Sequence, residues 1–406
     1  MKARRAANVL IGVSGGIAAY KVCEVVSTLA KREWPVKVIM TSAAESFVSA
    51  LTFATLARHE AYRDEDFWSA SQGRPLHIEL GEWADLFLVA PLTANTLGKL
   101  AGGLADNLLT NTVLASTCPV LLAPAMNTDM WLQPSVQRNW QQVLTDDRYH
   151  AVGPAAGRLA CDRIGTGRMA EPQAILAAIE SLLHSSSRDL KGKRILISTG
   201  STQEYIDAVR YIGNPSTGRM GIALATAAMY RGAQVVLVHG PMETHLRQTI
   251  PGTVQTIPVV SAADMEAALI SQVSTADWII MAAAVADLRP QEQVIGKLPK
   301  AKLPNPLPLD AVPDIVAKLA VHKRIEQVLV GFAAQTGNIA APAVDKLQRK
   351  GLDAIVANPV DQPESGFGSP FNQGIFIDRR CHQTPLSQGT KLAVAHQIYN
   401  LLLQLS

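Results

Sequence analysis

The segment Pro124-Ala125-Met126-Asn127-Thr128-Asp129-Met130-Trp131 sets one asparagine among methionines and a tryptophan, directly after an apolar run. An uncharged amide in that place can donate to a carboxylate and accept from a donor. The same residue type also makes turns and caps helices. Cys161 lies in Leu159-Ala160-Cys161-Asp162-Arg163-Ile164-Gly165-Thr166-Gly167-Arg168-Met169, whose glycines and charges read as a surface loop. A thiol there does not serve as core filling. His77, in Leu76-His77-Ile78-Glu79-Leu80, is a base for neutral pH, although a lone histidine in an apolar alternation is as a rule structural.

Near the start, Gly12-Val13-Ser14-Gly15-Gly16-Ile17 stands where a strand meets a helix. Glycines there let the backbone approach a phosphate, and the free N–H groups of the helix start point at it. The spacing is neither GxGxxG nor a Walker A loop, and a tight βα turn without ligand uses the same residues. Thr41-Ser42 and Pro91-Leu92-Thr93-Ala94-Asn95-Thr96 are further polar loops after apolar runs. Three such loops together describe a mononucleotide site.

In the second half, Asn214-Pro215-Ser216-Thr217-Gly218-Arg219-Met220-Gly221 precedes a helix and suits a phosphate or acyl phosphate, or a plain capping loop. Ala282-Ala283-Ala284-Val285-Ala286-Asp287 offers small residues against which a ring can lie and one carboxylate able to hold Mg2+ beside a triphosphate. Lys297, with Lys300 and Lys302, sits in a Pro/Lys-rich loop that is a phosphate clamp or a solvated surface. Lys346 and Lys350 fall at i, i+4 on a helix, a spacing that a wet face shares.

The elements that must position these residues follow a strand–loop–helix rhythm. Val9–Val13, Pro35–Met40, Leu86–Ala90 and Val120–Ala123 read as strands, with helices from Ile17 to Lys31 and from Pro172 to His184. Ser185–Lys193 is polar and small and reads as a linker. The pattern restarts at Arg194–Ser198 and continues through Gln234–His239, Asp277–Met281, Gln327–Phe332 and Asp353–Ala357, with helices at Met220–Arg231 and Gly389–Leu403. The expected fold is α/β, two doubly wound Rossmann-like domains with parallel sheets, residues 1–184 and 194–406 around a linker at 185–193. In such sheets ligands bind outside the carboxyl ends of the strands, in the loops after Val13, Met40, Ala90 and Ala123 and after Ser198, Met281, Phe332 and Ala357.

The 406 residues, 48% hydrophobic and 17% charged, describe buried globular domains. A net charge of +3 with no Lys/Arg block gives no reason to expect nucleic acid. No apolar stretch reaches signal-peptide or membrane length, and the four cysteines show no CxxC spacing. A cytoplasmic protein with neither disulfide framework nor zinc site is expected.

Val13–Lys21, Ile78–Asp85, Pro124–Trp131 and Gly165–Met169 together resemble the flavoproteins that decarboxylate peptidyl-cysteine or phosphopantothenoylcysteine. The resemblance implies FMN, held by Ser14, Gly15, Gly16, Ser42, Thr93 and Asn95. It also implies His77 as the active-site histidine, Asn127 as the holder of the substrate carboxylate and Cys161 as the proton donor. A cysteinyl carboxylate has no electron sink, and flavin oxidation of the thiol supplies one.

Asn214–Gly218, Ala283–Asp287, Pro313–Val316, Gly331–Ala334 and Gly366–Gly368 resemble phosphopantothenate–cysteine ligase. Fusion of the two is that family's bacterial arrangement. The resemblance implies that 4′-phosphopantothenate, cysteine and CTP react through an acyl-cytidylate, with Mg2+ at Asp287. Asn214, Arg210 and Lys297 are the implied catalytic residues. Met281, Ala282, Ala283, Ala284, Asp287, Lys297, Pro313, Asp314, Ile315, Val316, Phe332, Lys346 and Lys350 are the implied nucleotide site. A homo-oligomer, trimer-based or dodecameric with paired ligase domains, is implied as well. The sequence departs from the common pattern at Leu76, Asp162, Arg163, Gly296 and Gln335. A flavin-binding regulator and an NAD-dependent oxidoreductase are the rival readings; the catalytic residue set opposes the first, the missing GxGxxG the second.

Overall fold

Unbroken apolar runs form the central strands of two sheets in the computed structural model, which describes residues 7–69, 73–158, 164–185, 188–362 and 365–405. The chain divides into two units, 1–186 and 187–406.

In the first unit the strands are β1 (Val9–Val13), β2 (Val36–Met40), β3 (Ala61–Tyr62), β4 (Leu86–Leu92), β5 (Val120–Pro124) and β6 (Tyr149–Ala151), with a separate hairpin of β7 (Ala155–Arg158) and β8 (Ile164–Arg168). The helices are α1 (Ala19–Lys31), α2 (Ala50–Ala57), α3 (Leu76–Trp83), α4 (Ala94–Gly102), α5 (Leu108–Ala115), α6 (Thr128–Trp131), α7 (Pro134–Val143) and α8 (Pro172–His184). The sheet order is β3-β2-β1-β4-β5-β6, every pairing parallel. All five residues of β1 are buried, because helices cover both faces. Leu10, Phe87 and Leu122 pack into a core with α3, α5 and α7, while α1 and α8 lie together on β4 from the other side. The order reverses between β1 and β4, so a crevice opens at their carboxyl ends.

The second unit contains β9 (Arg194–Thr199), β10 (Gln203–Tyr205), β11 (Tyr211–Gly213), β12 (Gln234–His239), β13 (Gln255–Pro258), β14 (Trp278–Met281), β15 (Leu288–Pro290), β16 (Leu309–Ala311), β17 (Val328–Gln335), β18 (Ala354–Pro359), β19 (Phe371–Asp378) and β20 (Gln383–Thr390). Its helices are α9 (Arg219–Tyr230), α10 (Thr244–Arg247), α11 (Ala262–Val273), α12 (Ile315–His322), α13 (Ala340–Arg349) and α14 (Lys391–Leu402). The main sheet runs β13-β12-β9-β14-β17-β18-β19-β20 and repeats the switch of the first, now between β9 and β14. Its core gathers α11, α12 and α13 against Leu196, Ile279, Leu329 and Ile355; α9 and α14 pack together on the opposite face.

Three local expectations change. The second sheet is not all parallel, since β19 pairs antiparallel with β18 and β20. The stretch around His77 is the helix α3 and not an extended alternation; Leu76 and Leu80, both buried, are one helical turn apart. The stretch read as linker is partly folded onto the second unit. Leu190 is fully buried, and Asp189 holds the buried Arg231 guanidinium at 2.6 and 2.8 Å. No helix among the described residues is long and apolar enough to cross a membrane.

Candidate active sites

Each switch point opens into a cavity. That of the first unit measures about 1120 Å³ and is lined by Gly15, Gly16, Ser42, Thr93, Asn95 and Asn127, together with Ile17, Met126 and Met130. Gly15 is there because nothing larger fits: a Cβ at that position would stand 2.4 Å from the Ala43 Cβ and 2.8 Å from its carbonyl carbon. Ser14 is brought to the same turn but is not a wall of the cavity. Its buried hydroxyl donates to the Pro91 carbonyl and accepts from the Thr93 N–H at 3.2 Å, so it joins the β1 and β4 loops. Thr93 caps α4 by accepting from the Thr96 N–H.

Ser42 is engaged by a residue that the sequence reading passed over. One Asp64 oxygen accepts from the Ser42 N–H (3.0 Å) and hydroxyl (2.8 Å), and the other accepts from the Leu108 N–H (3.1 Å) at the start of α5. Asp64 thus ties two walls of the cavity. In the sequence it is one of the acids of Asp64-Glu65-Asp66, indistinguishable from a solvated charge.

Asn127 caps the short helix α6, its Oδ1 accepting from the Asp129 N–H at 2.8 Å. The β7–β8 hairpin lies against this loop: the Met126 N–H donates to the Gly167 carbonyl at 2.9 Å. Glycines make the approach possible. A Cβ on Gly167, whose φ is +141°, would be 2.4 Å from the Met126 carbonyl oxygen, and one on Gly165 would be 2.5 Å from the Thr128 hydroxyl. Cys161, Asp162 and Arg163 lie outside the described residues. His77 is not brought to the cavity wall of its own chain. It stands in the first turn of α3 with Phe67 edge-on at 5.3 Å and with a buried Nδ1 that has no hydrogen-bond partner.

The second cavity, about 680 Å³, collects Asn214, Met281, Ala282, Ala283, Ala284, Asp287, Pro313, Asp314, Ile315, Val316, Phe332, Lys346 and Lys350. Five separate segments therefore meet in one place. The 281–287 stretch is laced to the end of β9: Ala283 N–H donates to the Ser198 hydroxyl, and Ala286 N–H to that of Thr202. Asn214 Nδ2 donates to the Val285 carbonyl at 3.1 Å, and its N–H donates to the Ser201 hydroxyl at 2.9 Å.

Lys346 is not on a wet face. Its ammonium donates to the Phe332 carbonyl at 2.8 Å, and burial, with Lys350 nearby, pushes its pKa down. Lys350 pairs with Asp314 at 3.0 Å. Burial pushes the Asp314 carboxyl up, but the Ala317 N–H and Lys350 outweigh it and hold the group below the usual range. Asp287 lines the cavity; no cluster of three metal-ligating side chains occurs among the described residues.

Arg210 and Lys297 are not brought to the cavity wall. Arg210 donates to the Leu298 carbonyl at 2.5 Å and pairs with Asp207 at 2.9 Å. Asp207, also missed in the sequence, accepts from the N–H groups of Val209, Arg210 and Leu298. Burial pushes its carboxyl up, yet these donors and Arg210 hold it low. Residues 206–210 and 294–298 are thereby sewn into one arm, with Gly296 at φ +89° accepting from the Ala208 N–H. Arg219, from the 214–221 segment, lines the cavity too, and Asn358, Asn372 and Lys391 join it with no sequence signal.

Two family models divide the chain. Residues 2–184 match one described as flavoprotein, and residues 190–405 match the DNA/pantothenate metabolism flavoprotein C-terminal domain. The coenzyme A biosynthesis bifunctional protein CoaBC of Bacillus subtilis is 44% identical over 400 residues, 98% of this chain and 97% of the relative. A cysteine/cysteine sulfinic acid decarboxylase from an unknown prokaryotic organism is 41% identical over 362 residues, 88% of this chain and 99% of the relative. Among solved structures, a PPC decarboxylase mutant complexed with pantothenoylaminoethenethiol is 37% identical; it matches over 45% of this chain and 100% of its own, with a TM-score of 0.42.

Proposed function

Because this chain belongs to the family of bifunctional coenzyme A biosynthesis proteins, with a flavoprotein decarboxylase half and a ligase half, we propose that its second unit uses CTP to join cysteine to 4′-phosphopantothenate and that its first unit decarboxylates the product with FMN. The observation that carries this reading is the convergence of Asn214, 281–287, 313–316, Phe332 and Lys346–Lys350 on one cavity, in a chain whose other unit presents Asn127 in a mononucleotide-sized crevice.

The first crevice suits FMN: Gly15 and Gly16 leave room for a close backbone approach, Ser42, Thr93 and Asn95 offer polar groups, and Ile17, Met126 and Met130 give an apolar wall. Bound FMN supplies the two-electron acceptor that oxidises the cysteinyl thiol and so gives loss of CO2 its electron sink. The protein's part is orientation and proton transfer. Asn127, whose Oδ1 accepts from the Asp129 N–H, holds the substrate carboxylate through its amide N–H in this reading. Cys161, between β7 and β8 in the chain, returns the proton to carbon as the product forms. His77, away from the cavity of its own chain, serves the cavity of a neighbouring copy in a trimer-based or dodecameric assembly.

In the ligase unit the carboxylate of 4′-phosphopantothenate attacks the α-phosphate of CTP, and pyrophosphate leaves. The cysteine amine then attacks the acyl carbon of the cytidylate and releases CMP. Lys346 and Lys350 offset charge on the phosphates, and Phe332 packs on the cytosine. Asp287 would hold Mg2+, which would offset charge on the nucleotide phosphates. Asn214 polarises the mixed anhydride through its amide, and the Arg210–Lys297 arm reaches the site in paired ligase units.

Purified protein given 4′-phosphopantothenate, cysteine and CTP is expected to form 4′-phosphopantetheine, CO2, CMP and pyrophosphate. Parallel reactions with free cysteine and cysteine sulfinate test the substrate of the decarboxylase half. CO2 release from either free acid at a rate matching the pantothenoyl substrate would overturn the assignment of that half.

A further inference from the structure

Lys391, the first residue of α14, is a lysine that the proposed reaction leaves unused. It is only 7% exposed and forms part of the ligase cavity wall. Its ammonium donates to the carbonyls of Gly366 (3.0 Å) and Phe371 (3.1 Å), and its backbone N–H donates to the Pro370 carbonyl (3.0 Å). Those bonds use two of three ammonium protons and satisfy their direction. They do not neutralise the charge, and among the described residues no ion pair with a carboxylate is found for Lys391. Burial, with the cation Arg219 as its charged neighbour, pushes its pKa down to about 8.

Arg219 is the first residue of α9 and lines the same cavity, and its buried Nε has no hydrogen-bond partner. The helix behind it begins at Gly218 in the left-handed region with no side chain capping its first turn. Among the described residues neither cation has a carboxylate partner, and both line the cavity, with an uncapped helix start beside them. Lys346, Arg349 and Lys350 stand on α13 and its C-cap, so five cations line the cavity against two carboxylates, Asp287 and Asp314. A like-charge pair with one member buried and the other half-buried is costly unless an anion joins it.

We propose that Lys391 and Arg219, with the first turn of α9, form an anion subsite that receives a phosphate group of a ligase substrate. The proposal rests on the ligase reading of this unit. Lys391 has a second task in the same position, since its two carbonyl bonds clasp the 366–371 loop that forms the adjoining wall. The phosphate has two possible sources, the tail of the nucleotide and the 4′-phosphate of phosphopantothenate, and both are dianionic groups of the same chemistry.

The test uses the full-length, flavin-loaded protein with Lys391→Met and Arg219→Gln. Inorganic pyrophosphate and inorganic phosphate are titrated directly by calorimetry, without turnover. Each variant is expected to weaken binding of at least one of them by about tenfold or more, the range of a charge-assisted contact. Steady-state ligation then separates the sources. A rise in KM for CTP alone assigns the nucleotide tail, and a rise for 4′-phosphopantothenate alone assigns the 4′-phosphate. Decarboxylation of supplied 4′-phosphopantothenoylcysteine stays at the wild-type rate and reports that the rest of the chain is intact. Should Lys391→Met not fold, Arg219→Gln decides alone. Wild-type binding of both anions left unchanged in Arg219→Gln overturns the subsite. A wild type that binds pyrophosphate but ligates nothing overturns the ligase reading and leaves the subsite standing.

Discussion

Replacing Gly15 by alanine puts the flavin crevice under a load that the structure lets one calculate. The new methyl would lie 2.4 Å from the Ala43 Cβ, 2.8 Å from its carbonyl carbon and 2.9 Å from its oxygen. Carbon atoms rest at about 3.5–4.0 Å, so the two loops must part by roughly 1 Å. Two of the three obstacles are backbone atoms, and a rotamer change offers little relief. Overpacking of this kind costs about 1–3 kcal/mol. Gly15 and Ala43 are both cavity walls, so the displaced loops are those that must hold the ligand. If the whole cost falls on the bound geometry, FMN affinity drops by roughly 5- to 150-fold, at 1.4 kcal/mol per tenfold. Fluorescence titration of the apoprotein with FMN measures it, and ligation by the second unit serves as internal control. Gly16→Ala is the contrast, because its methyl would meet the Thr93 Cγ2 at 3.6 Å and the Pro91 Cγ at 3.9 Å, ordinary contacts. It should leave the melting temperature of the apoprotein unchanged, whereas Gly15→Ala lowers it. An unchanged melting temperature together with an FMN Kd within twofold of wild type for Gly15→Ala would refute the steric reasoning.

Asn214→Asp replaces a donor to the Val285 carbonyl with a carboxylate that the carbonyl repels; CMP release should fall by about 100-fold, the scale of a lost catalytic donor, with decarboxylation of supplied intermediate unaffected. Gly167→Ala strains a φ of +141° and drives a methyl toward the Met126 carbonyl, so CO2 release should fall at least tenfold, by about 1.4 kcal/mol, while bound flavin absorbance persists. Asp207 has a carboxyl held below its unfolded value, so its contribution is fully present above about pH 4 and is lost as pH falls through the folded value. Melting curves should show Asp207→Asn destabilised at pH 7, with the gap to the wild type closing as pH falls below about 4. Lys391 carries a pKa of about 8, below an unfolded value of about 10.4, so the folded state releases its proton first and stability rises with pH between the two. Facing it are the Arg219 guanidinium and the carbonyls of Gly366 and Phe371. Calorimetric pyrophosphate affinity should accordingly decline from pH 7 to pH 9 in the wild type and stay flatter in Lys391→Met.

The central strands were legible because burial on both faces leaves a continuous apolar run, as in Val9–Val13, which gives way to the Ser14-Gly15-Gly16 turn. The helix Pro172–His184 starts and stops as read, with proline in its first turn. The β19–β20 hairpin was not legible. Its strands carry Asn372, Gln373, Gln383 and Gln388 and lie at the end of the sheet, where β20 has no further partner strand among the described residues and a polar pattern suffices. Segment 76–80 misled because a five-residue apolar pattern fits a strand or a helix turn equally. Most residues that line the two cavities at strand ends could be named from type and position. Asp64, Asp207 and Lys391 could not, since each is defined by backbone groups that the fold brings from elsewhere, such as Leu108 for Asp64 and Gly366 for Lys391. Arg210 and Lys297 had the right chemistry, but the arm that carries them is fastened to itself.

The ion pair between Asp189 and Arg231 bears on how the chain can be divided into working parts. Arg231 is wholly enclosed between α9 and α14, donating to the His396 carbonyl as well as to Asp189. A fragment beginning at residue 194, where the first strand starts, would leave that guanidinium without its counter-charge. Unpairing an enclosed ion costs about 3–5 kcal/mol, less here because Asp189 is itself partly solvated, against a total of about 5–15 kcal/mol for a typical domain. A fragment beginning at residue 187 keeps the pair and the buried Leu190 with it. The border between the two enzymes, as something to cut or to splice, is therefore set by where a charge finds its partner and precedes the first strand by several residues.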